Sequence, residues 1–199
     1  MQPQIYLASN SPRRRELLTQ IGVHHTVIGV NVDETPRERE APAEYVIRMA
    51  LEKARAGHHR VESLTPMPVL GADTAVVVNQ QILGKPKDQN EAVAMMAQLS
   101  DTTHKVLTGV ALIGPQEATR LSVSHVTFRA VSQKEAIAYW QSGEPADKAG
   151  GYGIQGLGAL FISGLDGSFS GVMGLPLFET AELLHRAGIT PLGVDRDNL

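Results

Sequence analysis

The chain has 199 residues, no cysteine, 42% hydrophobic and 20% charged residues, and a formal net charge of −3. That composition suits a globular protein burying roughly 70% of its unfolded surface, and it excludes disulfides, zinc–thiolate sites and cysteine nucleophiles. The negative balance argues against a broadly basic nucleic-acid-binding surface, so an anionic ligand would need a local basic site.

In chain order, Met1-Gln2-Pro3-Gln4 carries no basic leader, and no apolar run approaches the roughly 18 residues of a membrane span. The expectation is a cytoplasmic protein with no membrane partner, built as one domain over residues 1–199. Residues 5–8 predict a short buried strand, followed by the turn Ser9-Asn10-Ser11 and a helix over 12–22. Residues 27–32 are strand-like and run into the acidic pair Asp33-Glu34. A second helix is expected over 42–57, ending at Gly57, and an apolar strand over 69–78, turning at Asn79-Gln80 to return through Ile82-Leu83. The capping-box patterns Asp88-x-x-Glu91 and Ser132-x-x-Glu135 open helices that reach about Leu99 and Ser142. Strands over 106–113 and 121–128 are joined through Gly114-Pro115, a connection too short for a helical crossover, so they pair antiparallel and the sheet is mixed. Residues 143–158 hold six glycines, which predicts a functional loop rather than a regular element. A strand at 160–162, a turn at Asp166-Gly167 and a helix over 176–187 closed by Gly188 complete an α/β layout. The tail 195–199 is expected to be disordered and dispensable.

Several residues sit where bland chemistry would not put them. Ser11 and Pro12 are a good helix start, which places Arg13, Arg14 and Arg15 in the first turn, where the helix dipole disfavours cations. A bound phosphate shared with the free amides would explain the cluster; a solvated basic patch is the alternative. On the second helix, Lys53 shares the apolar stripe of Val46, Met49, Ala50 and Ala54, so it either snorkels or meets a buried partner. Asp73 interrupts an otherwise buried strand. Burying that carboxylate costs several kcal/mol unless a cation, metal or donors compensate, which makes it the best candidate for a metal ligand or general base, against a structural hydrogen-bonding role. Glu34 is a candidate second oxygen ligand for Mg²⁺ or Mn²⁺, or a solvated loop acid. Lys85 and Lys148 suit point-charge contacts to phosphate, and Gln155 can read a base edge, unless its segment is a plain surface loop. The chain has no P-loop string, no G-x-G-x-x-G opening a βαβ unit, no H-E-x-x-H and no G-x-S-x-G.

Four motifs stand in series: Leu7-Ala8-Ser9-Asn10-Ser11-Pro12-Arg13-Arg14, Leu70-Gly71-Ala72-Asp73-Thr74, Lys85-Pro86, and Gly143-Glu144-Pro145 through Asp147-Lys148-Ala149-Gly150-Gly151-Tyr152-Gly153-Ile154-Gln155-Gly156. With these the chain resembles the Maf-like nucleotide pyrophosphatases along nearly its whole length. The resemblance implies a two-lobed Maf/ITPase-like α/β fold with a mixed sheet and an active cleft between the lobes. It also implies divalent-metal-dependent release of pyrophosphate from nucleoside triphosphates. Carried over, it makes Asp73 the proton acceptor, and Arg13, Thr74 and Gln155 substrate contacts, with Thr74 and Gln155 setting substrate choice. Ser9, Lys53, Lys85 and Lys148 complete the substrate shell, and Glu34 with Asp73 the metal site for Mg²⁺ or Mn²⁺. Asp73-Thr74 with Tyr152-Gly153-Ile154-Gln155 looks like the branch acting on dTTP and UTP; the branch preferring 7-methyl-GTP carries Gln after that Asp. Asn10 and Gly84 depart from close relatives at loop positions. A homodimer is implied by the resemblance, and a non-catalytic nucleotide-sensing regulator of cell division is the rival reading.

Overall fold

The computed structural model describes residues 2 and 4–191. The expectation for 195–199 lies outside the described residues. Ten elements come first: β1 (Ile5–Leu7), α1 (Pro12–Gln20), β2 (His25–Val27), α2 (Pro42–Val61), β3 (Val69–Val78), β4 (Gln81–Leu83), α3 (Gln89–Leu99), β5 (Thr103–Ile113), β6 (Glu117–Phe128) and α4 (Gln133–Gln141). Three 3-10 turns follow, Glu144–Asp147, Ala149–Gly151 and Leu157–Phe161, and then β7 (Ile162–Asp166), α5 (Phe169–Met173) and α6 (Leu177–Arg186). The seven strands form one mixed sheet in the order β2-β1-β3-β5-β6-β7, with β4 on β3. β1 runs parallel to β2 and β3, and the other pairings are antiparallel. Among the described residues no helix is long and apolar enough to cross a membrane.

Side-chain alternation along β3 explains the layering. On one face, Leu70 and Ala72 join a cluster with Ile5, Leu17, Leu183 and Leu184, whereas Val76 and Val78 join a separate cluster with Met96, Leu99, Phe128 and Tyr139. Thr74 sits on that same face between the two clusters, so a cleft opens at the midpoint of the strand. The opposite face is covered by α2, whose Tyr45, Val46 and Met49 pack with Ala75, Val77 and Leu107. That helix lies unusually close. A Cβ on Gly71 would run into the Ala50 carbonyl and the Ala54 amide, and one on Gly109 into the Val46 carbonyl. Glycine inside these two strands therefore marks the contact line of the helix.

Local differences from the sequence expectations have physical reasons. β2 ends at Val27 because β1 offers only Ile5–Leu7 as a parallel partner, so residues 28–32 leave the sheet toward the cleft. α2 continues a full turn past Gly57, where a Cβ would sit 2.9 Å from Ile28 and Val69; that glycine serves packing, not termination. The hairpin turn has both Asn79 (φ 48°) and Gln80 (φ 65°) left-handed, as a type I′ turn requires. Ser132 and Glu135 form a complete capping box, but at Asp88 only half the box exists, because Glu91 accepts from Lys87 N–H instead. α5 lies where the pattern predicts no helix; Ser168 caps it through Gly171 N–H and Gly174 (φ 116°) ends it.

Candidate active site

Pairing of β3 with β1 ends at Leu70 and pairing with β4 begins at Val76, so residues 71–75 have no strand neighbour on that side. The Leu70 carbonyl accepts from Ala8 N–H at 2.8 Å, and alternation points the peptide groups of Ala72 and Thr74 the same way, into the gap. The cavity here is about 920 Å³. Its walls carry Ser9, Arg13, Glu34, Lys53, Asp73, Thr74, Lys85, Lys148 and Gln155, so residues separated by up to 146 positions in the chain meet in one place.

Asp73 is 8% exposed. Its partner is Lys53, whose Nζ lies 2.6 Å from Asp73 Oδ1 and 2.6 Å from Glu34 Oε1. The lysine therefore does not snorkel: it is the largely buried counter-ion of two carboxylates, reachable because Gly71 and Gly109 let α2 press on the sheet. Such a pair gains little net stability after desolvation, so its arrangement points to chemistry. Glu34 is held in place from α2, with Tyr45 donating its hydroxyl to the Glu34 carbonyl at 3.0 Å and Arg48 donating to the Thr35 carbonyl at 3.2 Å. Burial pushes the Glu34 carboxyl up, but the hydrogen bond and charge of Lys53, aided by Lys85 and Arg14, outweigh it and hold the pKa below the ordinary value. Burial, with Asp73 and Glu34 nearby, pushes the Tyr45 phenol up to about 12, so it remains a donor at neutral pH.

The three arginines part company. Arg15 is exposed outside the cleft, and Arg13 lies on the cleft wall with Nη1 3.7 Å from Asp147. Arg14, indistinguishable from its two neighbours by local pattern, is the built-in one. Its Nε donates to the Gly174 carbonyl at 2.7 Å, Nη1 to Ser9 Oγ at 3.2 Å and Nη2 to Thr74 Oγ1 at 3.3 Å. Burial pulls its pKa down, with the Asp73 charge opposing. Ser11 occupies the N-cap but its hydroxyl makes no cap bond. The first main-chain bond of α1 runs from Arg15 N–H to the Ser11 carbonyl, which leaves the Arg13 amide among the donors of an open helix start.

The glycine-rich segment is ordered rather than loose. The Glu144 carboxylate accepts from the Tyr139 hydroxyl at 2.7 Å, Leu157 N–H at 2.7 Å and Gly158 N–H at 3.0 Å, and Tyr139 Oη accepts from Gly153 N–H at 3.1 Å. A Cβ on Gly156 would overlap that carboxylate, and one on Gly158 would crowd the Gly153 carbonyl and Tyr139. Glu144 is thus the organiser of the strap that presents Gln155, a role that its place in Gly143-Glu144-Pro145 does not by itself reveal. Lys148 Nζ donates to the Glu144 carbonyl at 2.6 Å and to Asp147 Oδ1 at 2.7 Å.

Behind the strap, His104 Nε2 lies 2.7 Å from the Tyr152 hydroxyl in an aromatic nest with Phe128. Burial pushes its pKa down to about 4. The unfolded chain binds a proton as pH falls through about 6.5 while the native state stays neutral, so this stability is complete above 6.5 and is lost toward pH 4. The expected loss is about 3 kcal/mol over that window. Thermal melts from pH 7 to 4 should show it, and His104→Phe should flatten the slope; an equal slope in both proteins would assign the acid sensitivity elsewhere.

The arrangement is a carboxylate–ammonium–carboxylate core at an open strand edge, ringed by further cations and by hydroxyl and amide groups suited to a polyanionic ligand with a polar ring. Proteins of known name are similar to the chain over most of its length. Relatives described as dTTP/UTP pyrophosphatase include one from Alkalilimnicola ehrlichii, 57% identical over 92% of each chain, and one from Bordetella avium, 53% identical over 94% of this chain and 96% of its own. Another with that description, from Saccharophagus degradans, is 54% identical over 90% of this chain and 87% of its own. Among solved structures, the Staphylococcus aureus Ham1 protein aligns with a TM-score of 0.41 at 17% identity, over 65% of this chain and 72% of its own. The family described as Maf-like protein matches residues 4–187, a span that takes in every cleft residue named above, and the chain belongs to that family.

Proposed function

We propose that the protein hydrolyses dTTP and UTP to the monophosphate and pyrophosphate. The observation that carries this reading is the contact of Lys53 with both Asp73 and Glu34 at 2.6 Å, inside a cleft that also gathers Arg13, Lys85 and Lys148. The names of the relatives support the same activity and the same two substrates.

In this mechanism the triphosphate lies along the open edge of β3, with its oxygens neutralised by Arg13, Lys85 and Lys148. Lys53 engages Oδ1 of Asp73, and Oδ2 accepts the proton of the water that attacks the α-phosphorus. Pyrophosphate leaves in line, and the fixed cationic shell lowers the entropic part of the barrier. No three His, Asp or Glu groups among the described residues cluster into a self-sufficient metal site. Two carboxylates in a phosphate cleft nevertheless fit Mg²⁺ or Mn²⁺, which take one or two protein carboxylates and complete their shell with substrate phosphates and water. Asp73 and Glu34 would hold the ion, which when bound neutralises charge on the phosphoryl oxygens.

Base selection falls to Gln155 and Thr74. The Gln155 amide donates and accepts at once, matching the adjacent N–H and carbonyl of uracil or thymine. A panel of triphosphates assayed for pyrophosphate tests the reading. UTP and dTTP should exceed CTP and purines by about 10² in kcat/KM, and Gln155→Leu should erase that margin mainly through UTP and dTTP. Faster hydrolysis of GTP or 7-methyl-GTP would overturn the substrate choice. Binding without turnover would favour the regulatory reading.

A further inference from the structure

The hydroxyls around Arg14 can be assigned a direction by counting protons. Thr108 on β5 is 1% exposed, and its Oγ1 lies 2.8 Å from the Gly171 carbonyl and 3.0 Å from Thr74 Oγ1. A carbonyl only accepts, so the single hydroxyl proton of Thr108 is committed to Gly171. Thr108 must then accept from Thr74, which commits the single proton of Thr74 in turn. Thr74 Oγ1 also accepts from Arg14 Nη2, and one lone pair is left for the cleft.

Ser9 comes out with the opposite sense. Its Oγ accepts from Ser11 N–H at 3.2 Å and from Arg14 Nη1 at 3.2 Å, which uses both lone pairs and leaves its proton to donate. Two hydroxyls on one guanidinium therefore face the same cavity with opposite polarity. Ser9 suits a phosphate or carbonyl oxygen; Thr74 suits an N–H and opposes an acceptor.

We propose that Thr108 is a positioning residue for substrate choice: by taking the Thr74 proton it makes Thr74 an acceptor-only contact, which shares the N3–H of uracil or thymine with the Gln155 side-chain carbonyl and disfavours the bare N3 of cytosine. This rests on the reading of the cleft as a pyrimidine triphosphate site. It adds that discrimination is set by a buried residue that never touches the nucleotide.

The experiment compares kcat and KM for UTP and CTP in wild type, Thr108→Val and Thr108→Ser. Thr108→Val releases the Thr74 proton to donate into the cleft, so the UTP-to-CTP ratio of kcat/KM should fall about tenfold, chiefly through a lower KM for CTP. Thr108→Ser keeps the hydroxyl and should keep the ratio. A purely structural role would lower both nucleotides by one factor, and that outcome overturns the proposal. Thr108→Val also leaves the Gly171 carbonyl without its donor; if it does not fold, Thr108→Cys decides, because a thiol keeps a weak donor for that carbonyl and accepts poorly from Thr74. The cysteine should lower the UTP-to-CTP ratio in the same direction, and equal losses on both nucleotides refute the idea. Wild-type protein that turns over neither UTP nor dTTP would overturn the underlying function and this inference with it. A UTP preference left unchanged by Thr108→Val and Thr108→Cys would overturn this inference alone.

Discussion

Asp73→Asn should fold and lose roughly 10² to 10⁴ in turnover. The amide has the shape of the carboxylate and can still accept from Lys53 Nζ at the position of Oδ1, and Lys53 retains Glu34 as its anionic partner. No buried cation is left without a counter-charge, so the large penalty of breaking a buried pair is avoided. What the amide cannot do is take the water proton. Steady-state kinetics with UTP, alongside circular dichroism, separates the two effects. Near-wild-type turnover in a folded Asp73→Asn protein would remove Asp73 from the chemistry.

The second large effect is expected from a residue that touches no ligand. Gly109→Ala places a methyl against the Val46 carbonyl and the Ile47 amide, and Gly71→Ala does the same against Ala50 and Ala54. These obstacles are helix backbone, so no side-chain rotation relieves them and α2 must move off the sheet. Overpacking of this kind costs about 1 to 3 kcal/mol or more. The helix that moves also carries Lys53 and the Tyr45 and Arg48 clamps on the Glu34 loop. A displacement of about 1 Å is enough to lose about 10² in rate. Gly109→Ala should therefore lower both the melting temperature and kcat. Gly84→Ala, where no atom lies within 4 Å of the added methyl, should leave the melting temperature unchanged. Full stability in Gly109→Ala would mean that the helix does not sit on the sheet as described.

These two residues also mark how far the sequence could be read. Asp73 was legible because a charge inside an apolar run violates local pattern, and Lys53 because it breaks a helical stripe. Local chemistry likewise exposed the Ser132 capping box, the Asn79-Gln80 turn and the antiparallel β5–β6 pair. The meaning of Gly57, Gly71 and Gly109 was hidden, since their use depends on which helix crosses which strand. Arg13 and Arg14 are adjacent in sequence, and only the rotation of α1 against β3 decides that Arg14 meets Thr74 while Arg13 faces Asp147. The gap between β1 and β4 along β3, which makes the cleft, follows from strand lengths and pairing partners that no local signal encodes.

The central claim is that water, activated beside Asp73, attacks the α-phosphorus of a bound pyrimidine triphosphate. Hydrolysis of UTP in H₂¹⁸O with Mg²⁺ or Mn²⁺, followed by mass analysis of the products, tests it most directly. The account predicts UMP and pyrophosphate as products, with one ¹⁸O in UMP and none in pyrophosphate. Label in pyrophosphate, or release of UDP and orthophosphate, would contradict it.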